Sequence, residues 1–183
     1  LTSGTFTSRT GTVTFNGAGA QSLTPGSSSF YNLTTATNST NVTLQADITV
    51  TNDLTIASST TLDAGSNRGI TVGGNFANSG TFTDQQGTVT FNGTGTLTSN
   101  GNEFYNVITS GTGTLTLGDA LTIMNDLTIG ANTTLDVSGS NYAIGISGDW
   151  DNSGTFTSAS NTVTFNGSGA QTVTTGGVGT GND

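Results

Sequence analysis

Two long stretches of this chain repeat one another, and a third copy begins after them. Residues 3–78 open with SGTFTSRTGTVTFNGAGAQ, residues 79–152 with SGTFTDQQGTVTFNGTGT, and residues 153–183 with SGTFTSASNTVTFNGSGAQ. The offsets between copies are 76 and 74 residues. Self-similarity at a fixed period marks a stacked architecture, in which one unit cannot bury its apolar side alone and its neighbours complete the core. The whole of 1–183 therefore reads as a single continuous solenoid, and its start inside a repeat leads us to expect that it belongs to a longer array or polymer.

Composition agrees with a thin core. Only 31% of the 183 residues are apolar and 28 are glycine, a small apolar share for a globule that must offset its chain entropy. The polar excess is Thr, Ser, Asn and Gly rather than charge, which separates the chain from highly charged disordered sequences. Threonine suits strands because its branched Cβ fits a pleated surface.

The net charge of −9 comes from eleven carboxylates against Arg9 and Arg68. Nucleic acid and anionic membrane surfaces are bound through basic clusters, so neither is expected as a partner. With no Cys, His or Lys, disulfides, thiolate metal sites and imidazole bases are excluded. No apolar run approaches the roughly 18 residues of a membrane-spanning helix.

Within each copy an Asn or Asp precedes an apolar residue at the start of a short strand. The sites are Asn32-Leu33, Asp53-Leu54, Asn75-Phe76, Asn106-Val107, Asp126-Leu127 and Asp149-Trp150, separated by 21, 22, 31, 20 and 23 residues. This spacing predicts three rungs per repeat. Segments such as Val13-Thr14-Phe15, Ile48-Thr49-Val50, Ile70-Thr71-Val72, Val89-Thr90-Phe91, Leu121-Thr122-Ile123, Ile144-Gly145-Ile146 and Val163-Thr164-Phe165 have period two. Their apolar residues point to one side and the central residue to the other. They are expected to form one aligned set, with an interior of Val, Ile, Leu and Phe and an exterior Thr ladder. No 3.6-residue periodicity is sustained, so helix should be close to absent.

The fold class expected is all-β: a right-handed parallel β-helix of about seven rungs and three sheets, with the hand taken from the general rule for parallel crossovers. At ~4.8 Å per rung this gives a rod on the order of 34 Å long. GTVTFNG, DLTI, TTLDAGS and GITVGGN resemble the parallel β-helix repeats of bacterial surface and secreted proteins, including filamentous adhesins and autotransporter passengers. The resemblance covers essentially the whole chain and implies an elongated, repetitive, extracellular shaft.

Candidate chemistry is sparse. Asp149 and Asp151 flank Trp150, a pairing that would suit acid–base work only if the carboxylates faced each other across a groove; Asp149 instead matches the turn residues Asp53 and Asp126. The Asn/Asp column could hold calcium, but half of its members are neutral, and a hydrogen-bonded turn ladder fits them better. No catalytic residue, cofactor or metal is implied. No cap of charge, helix or proline is evident at either terminal rung, so the ends are the expected contact surfaces. Thr5, Phe6, Val13 and Phe15 fall on one side and Phe156, Val163, Phe165 and Val173 on the other, with copies of the same chain as partner in a head-to-tail filament. The alternative is a carbohydrate- or ice-binding module that uses the exterior threonines or the aromatic pairs Phe30-Tyr31 and Phe104-Tyr105.

Overall fold

In the computed structural model, which describes residues 6–36, 40–137 and 139–176, three parallel ladders run side by side up a β-solenoid, and no helix occurs among these residues. The first face stacks β1 (Thr12–Phe15), β3 (Asn32–Thr35), β6 (Leu54–Ile56), β9 (Phe76–Asn78), β12 (Gly95–Thr98), β14 (Thr114–Leu117), β17 (Thr134–Asp136) and β20 (Thr155–Thr157). The second stacks β2 (Gly19–Leu23), β4 (Thr40–Leu44), β7 (Thr61–Asp63) and β10 (Thr81–Thr83). It continues through Phe104, bridged to Ile123, into β15 (Leu121–Ile123), β18 (Ile144–Ile146) and β21 (Val163–Phe165). The third face begins at Phe30, bridged to Val50. Above it come β5 (Ile48–Val50), β8 (Ile70–Val72), β11 (Thr88–Phe91), β13 (Asn106–Thr109), β16 (Leu127–Ile129), β19 (Trp150–Asn152) and β22 (Val173–Thr175).

Strands and bridges together fill eight turns of three positions, one more turn than the sequence spacing suggests. At ~4.8 Å per turn the stack is about 38 Å long. Every paired strand is parallel and in register with the turns above and below, as in Ile48↔Ile70↔Val89↔Val107↔Leu127↔Trp150↔Val173. Apolar residues alternate inward and are almost all sealed, while the residues between them face out.

The repeat and the turn do not coincide. The near-identical strands β1, β11 and β21 lie on the first, third and second faces, so each copy advances eleven positions, or three and two-thirds turns, rather than three rungs. The Val-Thr-Phe and Ile-Thr-Val segments therefore do not form one aligned set. The source of the difference is the 31-residue interval between Asn75 and Asn106, which holds five positions where the 20–23-residue intervals hold three. One of those five is the single bridge at Phe104, which has no strand pattern to announce it.

Tight corners let the chain turn this often. At the corner between the third and first faces, a Cβ on Gly93 would run into the Gly73 carbonyl, and one on Gly113 into the Gly93 carbonyl. Glycine allows that close backbone approach.

Two open ends as the candidate functional surface

The Asn/Asp column is a structural ladder divided between two corners. Asn32 Oδ1 accepts from Asp53 N (3.2 Å) and Asn52 Nδ2 (2.8 Å), Asp53 Oδ1 from Asn75 N (2.8 Å), and Asn75 Oδ1 from Thr96 N (2.9 Å). One repeat later, Asn106 Oδ1 accepts from Asp126 N and Asn125 Nδ2, Asp126 Oδ1 from Asp149 N (2.8 Å), and Asp149 Oδ1 from Thr172 N (2.7 Å). Each side chain thus satisfies the backbone donor of the turn above. Asp149 is engaged in this ladder, Trp150 is buried beside it, and Asp151 faces outward between Thr128 and Thr174.

The aromatic pairs are split between inside and outside. Phe30 and Phe104 are sealed in the core, while Tyr31 and Tyr105 are partly exposed. The outward threonines occur on all three faces and are interrupted by Ala77, Ile108, Gly145 and the aspartates Asp63, Asp136 and Asp151. Among the described residues, no three acidic, His or Cys side chains gather into a metal-holding group.

Apolar surface collects instead at the two ends. At the top, Trp150, Phe156, Val163, Phe165 and Val173 line a depression with Thr175; Phe165 is 40% and Val173 51% exposed. At the bottom, Phe6, Val13, Phe15, Leu23, Pro25 and Phe30 line another. Phe6 lies beneath Phe30, with ring centroids 5.9 Å apart, and its N–H donates to Ser28 Oγ at 3.2 Å. The structure therefore gathers the two residue sets singled out in the sequence at opposite ends, except Thr5, which lies outside the described residues.

A polar pair at these ends escapes sequence reading. Gln171 Nε2 donates to the carbonyls of Ile146 (3.1 Å) and Gly148 (2.6 Å) in the turn below, while its Oε1 accepts from Gly167 N (3.1 Å). Gln21 holds the matching place in the first copy, pointing inward at the foot of the Val42–Leu62–Phe82 column, and its buried Oε1 has no hydrogen-bond partner. The available signal was an Ala-Gln pair present in the first and third copies and missing from the second.

The arrangement defines a class, a parallel β-solenoid built from sequence repeats with apolar surface at both ends of its described turns. Comparison with protein-family models, curated proteins and solved structures finds no match for the chain.

Proposed function

We propose that this protein is a non-catalytic structural element: a repeating shaft or subunit of an extracellular filament or surface adhesin, assembled end to end through its solenoid turns. The observation that carries this reading is the pair of apolar ends, each bordered by the last strands of three parallel ladders. Unpaired strand edges above an apolar core are the surfaces on which another turn can add. A contact between two different ends does not close on itself and so propagates into a fibre. The resemblance to bacterial surface β-helix repeats supports a location outside the cell or on its surface, with surface carbohydrate as a target class for an adhesive array.

Electron microscopy of the purified native protein tests the reading. Long unbranched fibres with a ~4.8 Å axial reflection are expected. Dispersed rods about 38 Å long at high concentration would overturn it and move attention to the side walls.

A further inference from the structure

Resting on end-to-end assembly, we infer that the contact has a defined register: the first turn of one copy sits on the last turn of the next, like residue on like residue, turned by one face. The two terminal turns are nearly the same sequence. Residues 3–24 read SGTFTSRTGTVTFNGAGAQSLT and residues 153–174 read SGTFTSASNTVTFNGSGAQTVT, identical at 16 of 22 positions. Stacked in register, Phe6 falls over Phe156, Val13 over Val163, Phe15 over Phe165 and Leu23 over Val173.

Geometry favours this match. Because the two segments have the same length, Asn16–Ser22 lies over Asn166–Thr172 residue for residue, between Phe15 over Phe165 and Leu23 over Val173. Directly stacked phenylalanines already occur inside the molecule: Phe82 and Phe104 occupy successive turns of the second face with ring centroids 5.2 Å apart. Stacked Phe15 and Phe165 reproduce that arrangement and cover the exposed Phe165 ring.

Gln21 supplies the polar half of the contact. Its counterpart Gln171 grips two carbonyls of the turn below through Nε2. In the proposed register the turn below Gln21 is β21 and the glycine corner after it, which presents the Phe165 carbonyl where Gln171 finds that of Ile146, since Phe165 stands directly above Ile146. In the stack the Gln21 Nε2 donates to a carbonyl of the turn below as the Gln171 Nε2 does, which adds a polar contact to the apolar one.

The rotation follows from the faces. Phe6 lies under Phe30 on the third face, whereas Phe156 belongs to β20 on the first. Overlaying them turns each successive copy by a third of a revolution, apart from accumulated sheet twist, and advances it eight and a third turns, about 40 Å at ~4.8 Å per turn. Three copies return to the starting face.

Cysteine pairing tests the register directly, because the chain contains no cysteine of its own. Thr14 and Thr164 are both exposed, and in this stack they are adjacent outward residues of a parallel ladder, within disulfide reach. Mixing the single variants Thr14→Cys and Thr164→Cys under mild oxidation is expected to give a reducible dimer at twice the 18.2 kDa chain mass. Thr14→Cys mixed with Thr157→Cys, the partner offered by the unrotated stack, should give none. A dimer from the second mixture, or from neither mixture while fibres form, would overturn the register and leave end-to-end assembly standing. Absence of both crosslinks and fibres would overturn the two together. Circular dichroism matching the parent chain establishes that each variant is folded.

Discussion

The same aromatic cluster is built twice in this molecule, once in its middle and once at its top. In the middle, Phe76 meets Phe82, Phe91 and Phe104 at 5.2, 6.3 and 5.3 Å. At the top, Trp150 meets Phe156 and Phe165 at 4.9 and 6.4 Å, and the sequence has no aromatic residue after Phe165 to match Phe104. Identical spacing yields nearly identical ring geometry, yet Phe91 is 2% exposed and Phe165 40%. Local sequence therefore sets where each ring points, while the turn above determines whether it is buried. Stability in such a stack is a property of neighbouring turns rather than of a turn by itself.

Removing the fourth ring from the middle should convert it into a copy of the top. Phe104→Ala is expected to cost about 3–5 kcal/mol, the range for large-to-small changes in sealed cores, read as a lowered urea midpoint. Phe165→Ala should cost about 1 kcal/mol or less in dilute solution, because much of that ring is already in water. The comparison sharpens with concentration: if copies stack on Phe165, the cost of its removal should grow as protein concentration rises. Equal costs for the two substitutions in dilute solution would mean that the end is covered even in the isolated chain.

A second matched pair should behave alike in both copies. Thr35 and Thr60 hydroxyls meet at 2.6 Å in the core, and so do Thr109 and Thr133; Thr60 donates to the Ala57 carbonyl and Thr133 to that of Gly130. Thr35 Oγ1 also accepts from Ala57 N at 3.1 Å. Thr35→Val and Thr109→Val keep the shape but strand buried polar groups, and each should cost about 1–3 kcal/mol in the same denaturation assay. A loss confined to one of them would show that the two repeats are not energetically equivalent.

These threonines mark where the sequence could be read and where it could not. Period-two alternation identified the inward Leu33 and Val107, and the Asn/Asp turn ladder followed from the hydrogen-bonding capacity of those side chains. The same alternation carries Thr35 and Thr109 inward two residues later, although a Thr-rich pattern suggests an outer column; their burial depends on partners more than twenty residues away. The count of positions in each repeat was hidden for a related reason. Phe104 fills a whole position as one bridged residue, so nothing in its local sequence resembles a strand. Phe6, Val13, Phe15, Phe156, Val163, Phe165 and Val173 were legible as end residues because they belong to the first and last copies. Gln21 was not, since its significance rests on a carbonyl grip visible only at Gln171.

The smallest expected effect concerns a residue that only the middle copy carries. Asp84 stands where the first and third copies have Ser8 and Ser158, and in the first two copies the turn closes alike: Gly87 N donates to the Asp84 carbonyl as Gly11 N does to that of Ser8. Burial, opposed by a backbone hydrogen bond and reinforced by the nearby Glu103 carboxylate, raises the Asp84 pKa from 3.8 to about 6, and its Oδ2 has no hydrogen-bond partner. The folded chain therefore holds this proton more tightly than the unfolded chain. Stability from this group is fully present below pH ~4, declines as pH rises through about 6, and is lost above it. The shift corresponds to at most about 3 kcal/mol for a sealed group, and solvent around the half-buried carboxyl reduces this to about 1 kcal/mol. Replacing Asp84 by the serine of its sister copies should accordingly raise the melting temperature at pH 7.5 by a few degrees, with the advantage shrinking toward pH 4. An advantage independent of pH would assign the gain to packing and remove the carboxylate from the explanation. Glu103→Gln should lower the folded-state pKa of Asp84, so that the stability loss is smaller and is complete at a lower pH, nearer the ordinary aspartate range. Because Ser8 and Ser158 do not titrate, this dependence separates the middle copy from the two that form the ends.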